Sequence, residues 1–263
     1  MVKPEPQSVN FDRAAEIYDA TRALPPHVQE ALTARLLELL SDAGRVLEVG
    51  IGTGRIARPL AARGRRVCGV DISPLMLGQL TAQLEPGHER PDLVLGDATR
   101  LPFADGSVGA ALSFHVVHLI PEWERALDEA HRVIGDGGRF VYYQRRDEYK
   151  RWMDSHDKLG ELLGDRGFTR RKRPTVEEID EKLRSLGGSV EVEDVAEEEE
   201  WVTPAEMLAQ TKERSHSWSW EIPDELFWDF MPEYEEWIRS HYGAMDEPQV
   251  DKIMHELWVW RFD

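Results

Sequence analysis

The stretch Leu47–Arg55, LEVGIGTGR, constrains this chain more than any other. Three glycines, Gly50, Gly52 and Gly54, stand at alternate positions directly behind a short apolar run. A glycine-rich turn between a strand and a helix lets backbone N–H groups approach a ligand without β-carbon clashes. The helix N-terminus beyond it favours negative charge. The dinucleotide fingerprint G-x-G-x-x-G/A fits here as Gly52, Gly54 and Ala57. By itself, then, the loop leaves a nicotinamide or flavin enzyme open.

The surroundings of the loop set the fold class. Residues 11–22 place Phe11, Ala14, Ala15 and Tyr18 on one helical face, and Pro25 and Pro26 break that helix. A second helix turns Val28, Ala31, Leu32, Leu36 and Leu40 inward. Strands and helices then alternate: RVLEVG, RRVCGVD, DLVLGD, GAALSFH and RFVYYQ read as strands. Between them lie a helix with Ser73 as N-cap and Pro74 at its first position, and an amphipathic helix with Trp123, Leu127, Ala130 and Ile134 on one face. Such alternation with short connections implies an α/β fold with a parallel sheet covered on both faces. After Gln144 the pattern changes to helix and polar loop, with capping boxes at Thr175/Glu178 and Thr203/Glu206. SVEVEDV and HELWVWRFD read as strands that flank a tryptophan-rich helical segment.

Acidic residues shift the reading of the loop away from a pyrophosphate. Glu48 lies two residues before Gly50, Asp71 ends the second strand, and Asp97 ends the third. Asp71 is placed to accept both hydroxyls of a ribose, and Asp97 to accept from an adenine amine. Acids at three consecutive strand ends outline an adenosine lying across the C-terminal edge of the sheet.

With these residues the sequence resembles the class I S-adenosylmethionine-dependent methyltransferases, particularly the small-molecule group related to ubiquinone and menaquinone biosynthesis. The matching stretches are LEVGIGTGR, VDISPLML, GDATRLPFADGSV and SFHVVHLIPEWERALDEAHRVIGDGGRF, within residues 40–144. The resemblance implies a Rossmann-like seven-stranded sheet, mostly parallel, whose antiparallel last strand inserts between the fifth and sixth. It implies S-adenosyl-L-methionine as cofactor, S-adenosyl-L-homocysteine as product and a small-molecule methyl acceptor. Gly50, Gly52 and Gly54 would pass beneath the methionine part of the cofactor. Asp71 would hold the ribose, Ile72 and Met76 would pack near the adenine, and Asp97 with the backbone of Ala98 would read its amine. Phe114 and His115 would line the sulfonium end. Tyr18 and Arg22, in a Y-D-x-x-R pattern, would reach the cofactor carboxylate or the acceptor. One departure is Gly135-Asp136 in place of the usual lysine-proline before the paired glycines. The Asn/Asp-Pro-Pro-aromatic signature of nucleic-acid amino-methylating enzymes is absent.

The expected organisation is a single domain over 1–263. It has an N-terminal flap (1–35), a cofactor-binding core (36–144), a helical cap (145–187 and 203–246) and closing strands (188–202 and 254–263). Methyl transfer from a sulfonium is an in-line displacement that needs chiefly alignment and exclusion of water. A base helps where the acceptor is a hydroxyl or protonated amine. His115 and His216 are the candidates for that role, since imidazole titrates near neutrality. His118 reads as structural, Cys68 as a small buried apolar residue, and most of the aromatic residues from Trp218 to Trp237 as packing.

Charge narrows the partners. The formal net charge is −18, distributed as −4 over residues 1–144, +4 over 145–173 and −18 over 174–263. That acidity argues against duplex nucleic acid. The run RRKR (Arg170–Arg173) reads as a solvated loop or, alternatively, a contact for an acidic substrate or RNA. No apolar stretch approaches the ~20 residues of a membrane span, the N-terminus lacks a signal core, and one cysteine excludes a disulfide framework. A cytoplasmic protein without a metal site is the expectation. The alternatives are an NAD(P)-dependent oxidoreductase, which does not account for Asp97, and a non-catalytic S-adenosylmethionine-binding protein.

Overall fold

The computed structural model describes residues 8–84, 89–148 and 152–263. Residues 1–7 of the expected flap and 149–151 of the expected cap lie outside them. Seven strands form one sheet: β1 (Arg45–Val49), β2 (Arg66–Asp71), β3 (Asp92–Leu95), β4 (Ala110–Phe114), β5 (Arg139–Asp147), β6 (Gly188–Val202) and β7 (Gln249–Phe262). Their order is β3-β2-β1-β4-β5-β7-β6. The pairings of β1 with β2 and β4, of β2 with β3 and of β4 with β5 are parallel. Between β5 and β7 the Phe262 N–H donates to the Gly138 carbonyl (3.1 Å) and the Glu148 N–H to the Lys252 carbonyl (2.8 Å). Partners that move in opposite directions along the two strands make this pair antiparallel. The expected insertion of the last strand between the fifth and sixth is thus observed.

The nine α-helices are α1 (Tyr18–Arg22), α2 (Pro26–Leu39), α3 (Ala57–Ala62), α4 (Pro74–Ala82), α5 (Trp123–Ile134), α6 (Met153–Asp165), α7 (Val176–Ser185), α8 (Pro204–Lys212) and α9 (Asp224–Tyr242) among the described residues. The chain divides into two compact units: residues 1–145, 173–196 and 255–263, and residues 146–172 and 197–254.

In the first unit, strand alternation sorts side chains onto two faces. Leu47, Val49, Cys68, Val70, Ala111, Phe140 and Trp260 pack with Leu127, Ala130 and Val133 of α5 and with Ile179 and Leu183 of α7. Val46, Val67, Leu112, Val141, Tyr143 and Leu257 pack with Val28, Leu32 and Leu36 of α2 and with Ala57 and Leu60 of α3. Cys68 is a fully buried packing residue, as its neighbours in sequence imply. α7, read from sequence as part of the cap, belongs to this unit. Its buried face joins the α5 core, and Asp180 accepts from the Trp260 indole N–H at 2.9 Å.

The expected continuous helix over 11–22 is corrected. The chain forms a 3₁₀ turn at Asp12–Ala14 and resumes as the short α1. The Asn10 side chain accepts from the Asp12 N–H at 2.8 Å, and the Asp12 carboxylate is taken by Ser73 Oγ–H (2.5 Å) and Leu75 N–H (3.3 Å) at the start of α4. These side-chain bonds compete with the helical ladder and win.

The second unit is helical. Leu159, Leu162, Leu208, Phe227, Phe230 and Tyr234 form its core, with Trp218 and Trp237 packed against them. Both sequence-read capping boxes, at Thr175/Glu178 and Thr203/Glu206, are present with both bonds made. The basic run is engaged in part: the Arg170 guanidinium lies 5.2 Å from the centre of the Trp218 ring, and Arg171 pairs with Glu221 at 3.6 Å.

Candidate active site

The strand order changes direction between β1 and β4, so the loops leaving these strands part and open a crevice at their C-terminal ends. A cleft of about 640 Å³, the open solvent at its mouth included, lies there, entirely within the first unit. Each of the first four strands sends residues into it: Gly50 and Gly52 after β1, Asp71 and Ile72 from β2, Asp97 and Ala98 after β3, and Phe114 and His115 from β4. Met76 of α4 and Tyr18 of α1 complete the sequence-expected part of the wall.

The loop requires its glycines for two separate reasons. Gly50 has φ +72°, and a β-carbon there would meet Val116 Cγ2 at 2.5 Å. Gly52 has φ +55°, and its β-carbon would crowd Met76 Cε at 3.2 Å. Backbone thus lies where side chains would fill the cavity. Gly54 does not line the cavity; its α-carbon faces Leu80 of α4 instead.

Asp71 organises the rim. Its Oδ2 accepts from the Gly52 N–H (2.8 Å) and its Oδ1 from the Ser73 N–H (2.9 Å). Burial pushes its carboxyl above the ordinary value against these bonds. A carboxylate offers about four acceptor positions, and the Ile72 N–H also bears on this one, so only part of its capacity stays available to a ligand. Asp97 accepts from the Thr99 N–H through Oδ1 at 2.8 Å and leaves its second oxygen out of that cap.

Glu48 is the electrostatic outlier. It is 3% exposed, and its Oε2 has no hydrogen-bond partner among the described residues. Burial pushes its carboxyl up to about 8, although the nearby Arg55 opposes the shift. Glu48, Arg55, Tyr18 and Thr53 share a small recess that opens beside Gly50 and Gly52.

The N-terminal segment is tied down over this rim. Thr53 Oγ1–H donates to Asp19 (2.5 Å), Arg58 pairs with Asp19 at 3.5 Å, and the Arg55 guanidinium donates to the Arg22 carbonyl. Phe11 meets Tyr18 edge-on at 5.7 Å, and both line the cavity. Arg22 is half-buried and outside the lining.

His115 has φ +59°, a left-handed conformation uncommon for a residue with a side chain. Its ring stands edge-on to Tyr143 at 4.8 Å, and Phe114 stacks on the same tyrosine at 5.1 Å. The Tyr143 hydroxyl lies 2.6 Å from His255 Nδ1. Burial and the surrounding cations hold His115 well below its ordinary value, so its ring is neutral near pH 7. His216 lies in the second unit, where it caps the short turn Ser217–Ser219 and approaches Ser215 Oγ at 3.2 Å.

Sequence reasoning missed Val9, Phe11, Val116, Leu119 and Ile120 in the wall. The apolar run after His115 was the available signal for three of them. Nothing local distinguished Tyr143 or His255 from other inward strand positions. Among the described residues no cluster of His, Cys, Asp and Glu could hold a metal ion, and no helix is long and apolar enough to cross a membrane.

Residues 47–142 match the family described as "Methyltransferase domain". The "Uncharacterized methyltransferase Rv3342" of Mycobacterium tuberculosis is 35% identical over 173 residues, which is 65% of this chain and 65% of that protein. A demethylmenaquinone methyltransferase of Clavibacter sepedonicus is 34% identical over 142 residues, 53% of this chain and 58% of its own. The chain therefore spans less than two thirds of the length of these relatives. Among solved structures, phosphoethanolamine N-methyltransferase 2 of Haemonchus contortus, in complex with S-adenosylhomocysteine, aligns over 95% of this chain and 58% of its own. Its TM-score of 0.57 at 17% identity shows a shared fold.

Proposed function

We propose, on the premise that this chain belongs through residues 47–142 to the class I S-adenosylmethionine-dependent methyltransferases, that it transfers a methyl group from S-adenosylmethionine to a nucleophile of a small molecule. The observation that carries this reading is the convergence of Asp71 and Asp97 on one glycine-floored cavity at the strand switch point, with the buried Glu48, one oxygen unpartnered, in the recess that opens beside the same glycines.

The residues fit the cofactor. Asp71 keeps acceptor capacity for ribose hydroxyls, and Asp97 with the Ala98 N–H suits the polar edge of adenine. Ile72 and Met76 supply apolar surface for its faces. The unsatisfied Glu48 oxygen suits an ammonium, and the Arg55 guanidinium beside it suits a carboxylate, the two charges of an amino-acid end. Burying an unpaired carboxyl otherwise costs about 1–3 kcal/mol, so a complementary ligand group is the simplest reason to keep it. When bound, the cofactor supplies a methyl carbon on a sulfonium already activated by positive charge.

The chain's own task is alignment and exclusion of water. The segment from Val9 to Tyr18 walls the cavity, and proximity of this kind lowers a barrier by ~7–11 kcal/mol. His115, neutral at the β4 end, is available to take a proton from a hydroxyl or ammonium acceptor, a contribution of ~10²–10⁴-fold.

Isothermal calorimetry with S-adenosylhomocysteine tests the reading. Saturable one-to-one binding that weakens on Asp71→Ala is expected. A folded protein that does not bind, or an Asp71→Ala variant that binds as well as the parent, would overturn it.

A further inference from the structure

Glu48 stands in the middle of the sheet, in register with Gly69 of β2 and Leu112 of β4, neither of which carries a charge. It lines the recess beside Gly50 and Gly52 together with Tyr18, Thr53, Arg55 and Phe114. None of these supplies the donor that its buried Oε2 lacks. The Thr53 hydroxyl donates to Asp19. The Arg55 guanidinium donates to the Arg22 carbonyl and stands 6.0 Å from the centre of the Tyr18 ring, acting on Glu48 only through its field.

The charges around this carboxyl come from four elements. Arg55 on the glycine loop and the Ala57 N–H at the start of α3 favour its ionised form, and Asp71 at the end of β2 opposes it. Tyr18 of α1 stays a neutral phenol, because burial pushes its hydroxyl up. His115, beyond Phe114 at the end of β4, is neutral near pH 7. Burial outweighs Arg55 and Ala57 and holds the Glu48 carboxyl up at about 8. A carboxylate stripped of water with one oxygen unbonded is unfavourable, and the neutral acid escapes that cost. An ammonium brought to Oε2 reverses the balance, since an opposite charge at close range favours the ionised form and a dry recess screens it little.

We infer that Glu48 is a protonated acid in the free protein and releases that proton to solvent as the ammonium of S-adenosylmethionine enters the recess. This rests on the cofactor reading above, which puts the amino-acid end beside Glu48 and Arg55. The ligand amine arrives already protonated at neutral pH, so one proton leaves the protein for each ligand bound, and only the carboxyl O–H bond breaks. Cofactor capture is thereby coupled to pH. Acid weakens binding at the amino-acid end and leaves the adenosine end untouched.

Calorimetry at pH 6.5 in two buffers of different protonation enthalpy counts the protons released. S-adenosylhomocysteine is compared with 5′-methylthioadenosine, which shares its adenine, ribose and thioether but lacks the amino-acid end. About one proton should leave for each S-adenosylhomocysteine bound and none for 5′-methylthioadenosine. The affinity of S-adenosylhomocysteine should rise about tenfold from pH 6 to pH 7, while that of 5′-methylthioadenosine stays within about twofold. Glu48→Gln, which keeps the shape of the neutral acid, should bind S-adenosylhomocysteine more weakly, without proton release and without pH dependence. Should that variant not fold, the contrast between the two ligands in the parent gives the same readout. S-adenosylhomocysteine binding without proton release, equal release by both ligands, or undiminished release in Glu48→Gln would overturn the proposal. Binding without release leaves the cofactor reading standing, whereas S-adenosylhomocysteine that does not bind overturns both.

Discussion

The two rims of the cavity differ in charge and also in how the chain builds them. Around β1, β2 and β3 the functional groups are acids, Glu48, Asp71 and Asp97, each at or just beyond its own strand end. Around β4 and β5 stands His115, in the field of three arginines from a helix, a loop and a strand far apart in sequence. The acidic rim is a local product: one residue per βα turn, held by backbone N–H groups one or two residues away or by the glycine loop. The cationic rim exists only when the sheet is assembled. The acidic rim can therefore be read along a short motif, whereas the surroundings of His115 depend on tertiary placement.

The contrast can be broken most sharply at Asp71. Replacing it with alanine removes charge-assisted bonds worth about 1.5–3 kcal/mol, so S-adenosylhomocysteine should bind roughly 10- to 150-fold more weakly. Calorimetry should show that loss in Asp71→Ala; an affinity equal to the parent's would take the acidic rim out of the binding site.

Gly50→Ala comes next. Its β-carbon would lie 2.5 Å from Val116 Cγ2 at a left-handed φ. Overpacking of this kind costs about 1–3 kcal/mol, and a chain of this size loses about 2–4 °C in Tm for each. A thermal melt unchanged within a degree would contradict the close approach.

Glu48 sharpens the comparison through pH. Its carboxyl is raised from 4.5 to about 8 in the folded protein. Between those values the folded state holds a proton that the unfolded state has released. The stability this contributes is complete below pH 4.5 and is lost as pH rises through about 8. The slope is at most about 1.4 kcal/mol per pH unit. Denaturant titrations from pH 5 to 9 should show that slope in the parent and its absence in Glu48→Gln. A parent no different from Glu48→Gln would mean that Glu48 is ionised and paired.

Tyr143→Phe should give the smallest effect, about 1 kcal/mol, by removing the bond to His255. Burial lowers His255 to about 4, so its ring is neutral at pH 7. The stability tied to the neutral His255 ring is fully present above pH 6.5 and is lost as pH falls through about 4. Stability that does not change on Tyr143→Phe at pH 7 would leave the pair without a structural role.

Much of the fold was legible because its signals are periodic and local. The five strands before Gln144, the caps at Ser73, Thr175 and Thr203, and the burial of Cys68 follow from strand alternation and capping chemistry. The segment from Phe11 to Arg22 misled because its apolar spacing is helical. Its conformation is decided by Asp12 and Ser73, sixty-one positions apart, a contact no local pattern announces. α7 was assigned to the cap for a similar reason, since its helix is plain in sequence but its partners are α5 and Trp260. In the site, Asp71, Asp97, Gly50 and Gly52 could be placed from the motif, but Gly54 turned out to face α4. Phe11 and Tyr143 reach the site through folding alone.

The most direct test is a crystal structure of the complex with S-adenosylhomocysteine. The account predicts ribose hydroxyls on Asp71, the adenine edge at Asp97 and Ala98, the amino-acid end between Glu48 and Arg55, and the sulfur directed toward His115. An adenosine bound with its ribose away from Asp71, or a sulfur pointing away from the β4 end, would contradict it.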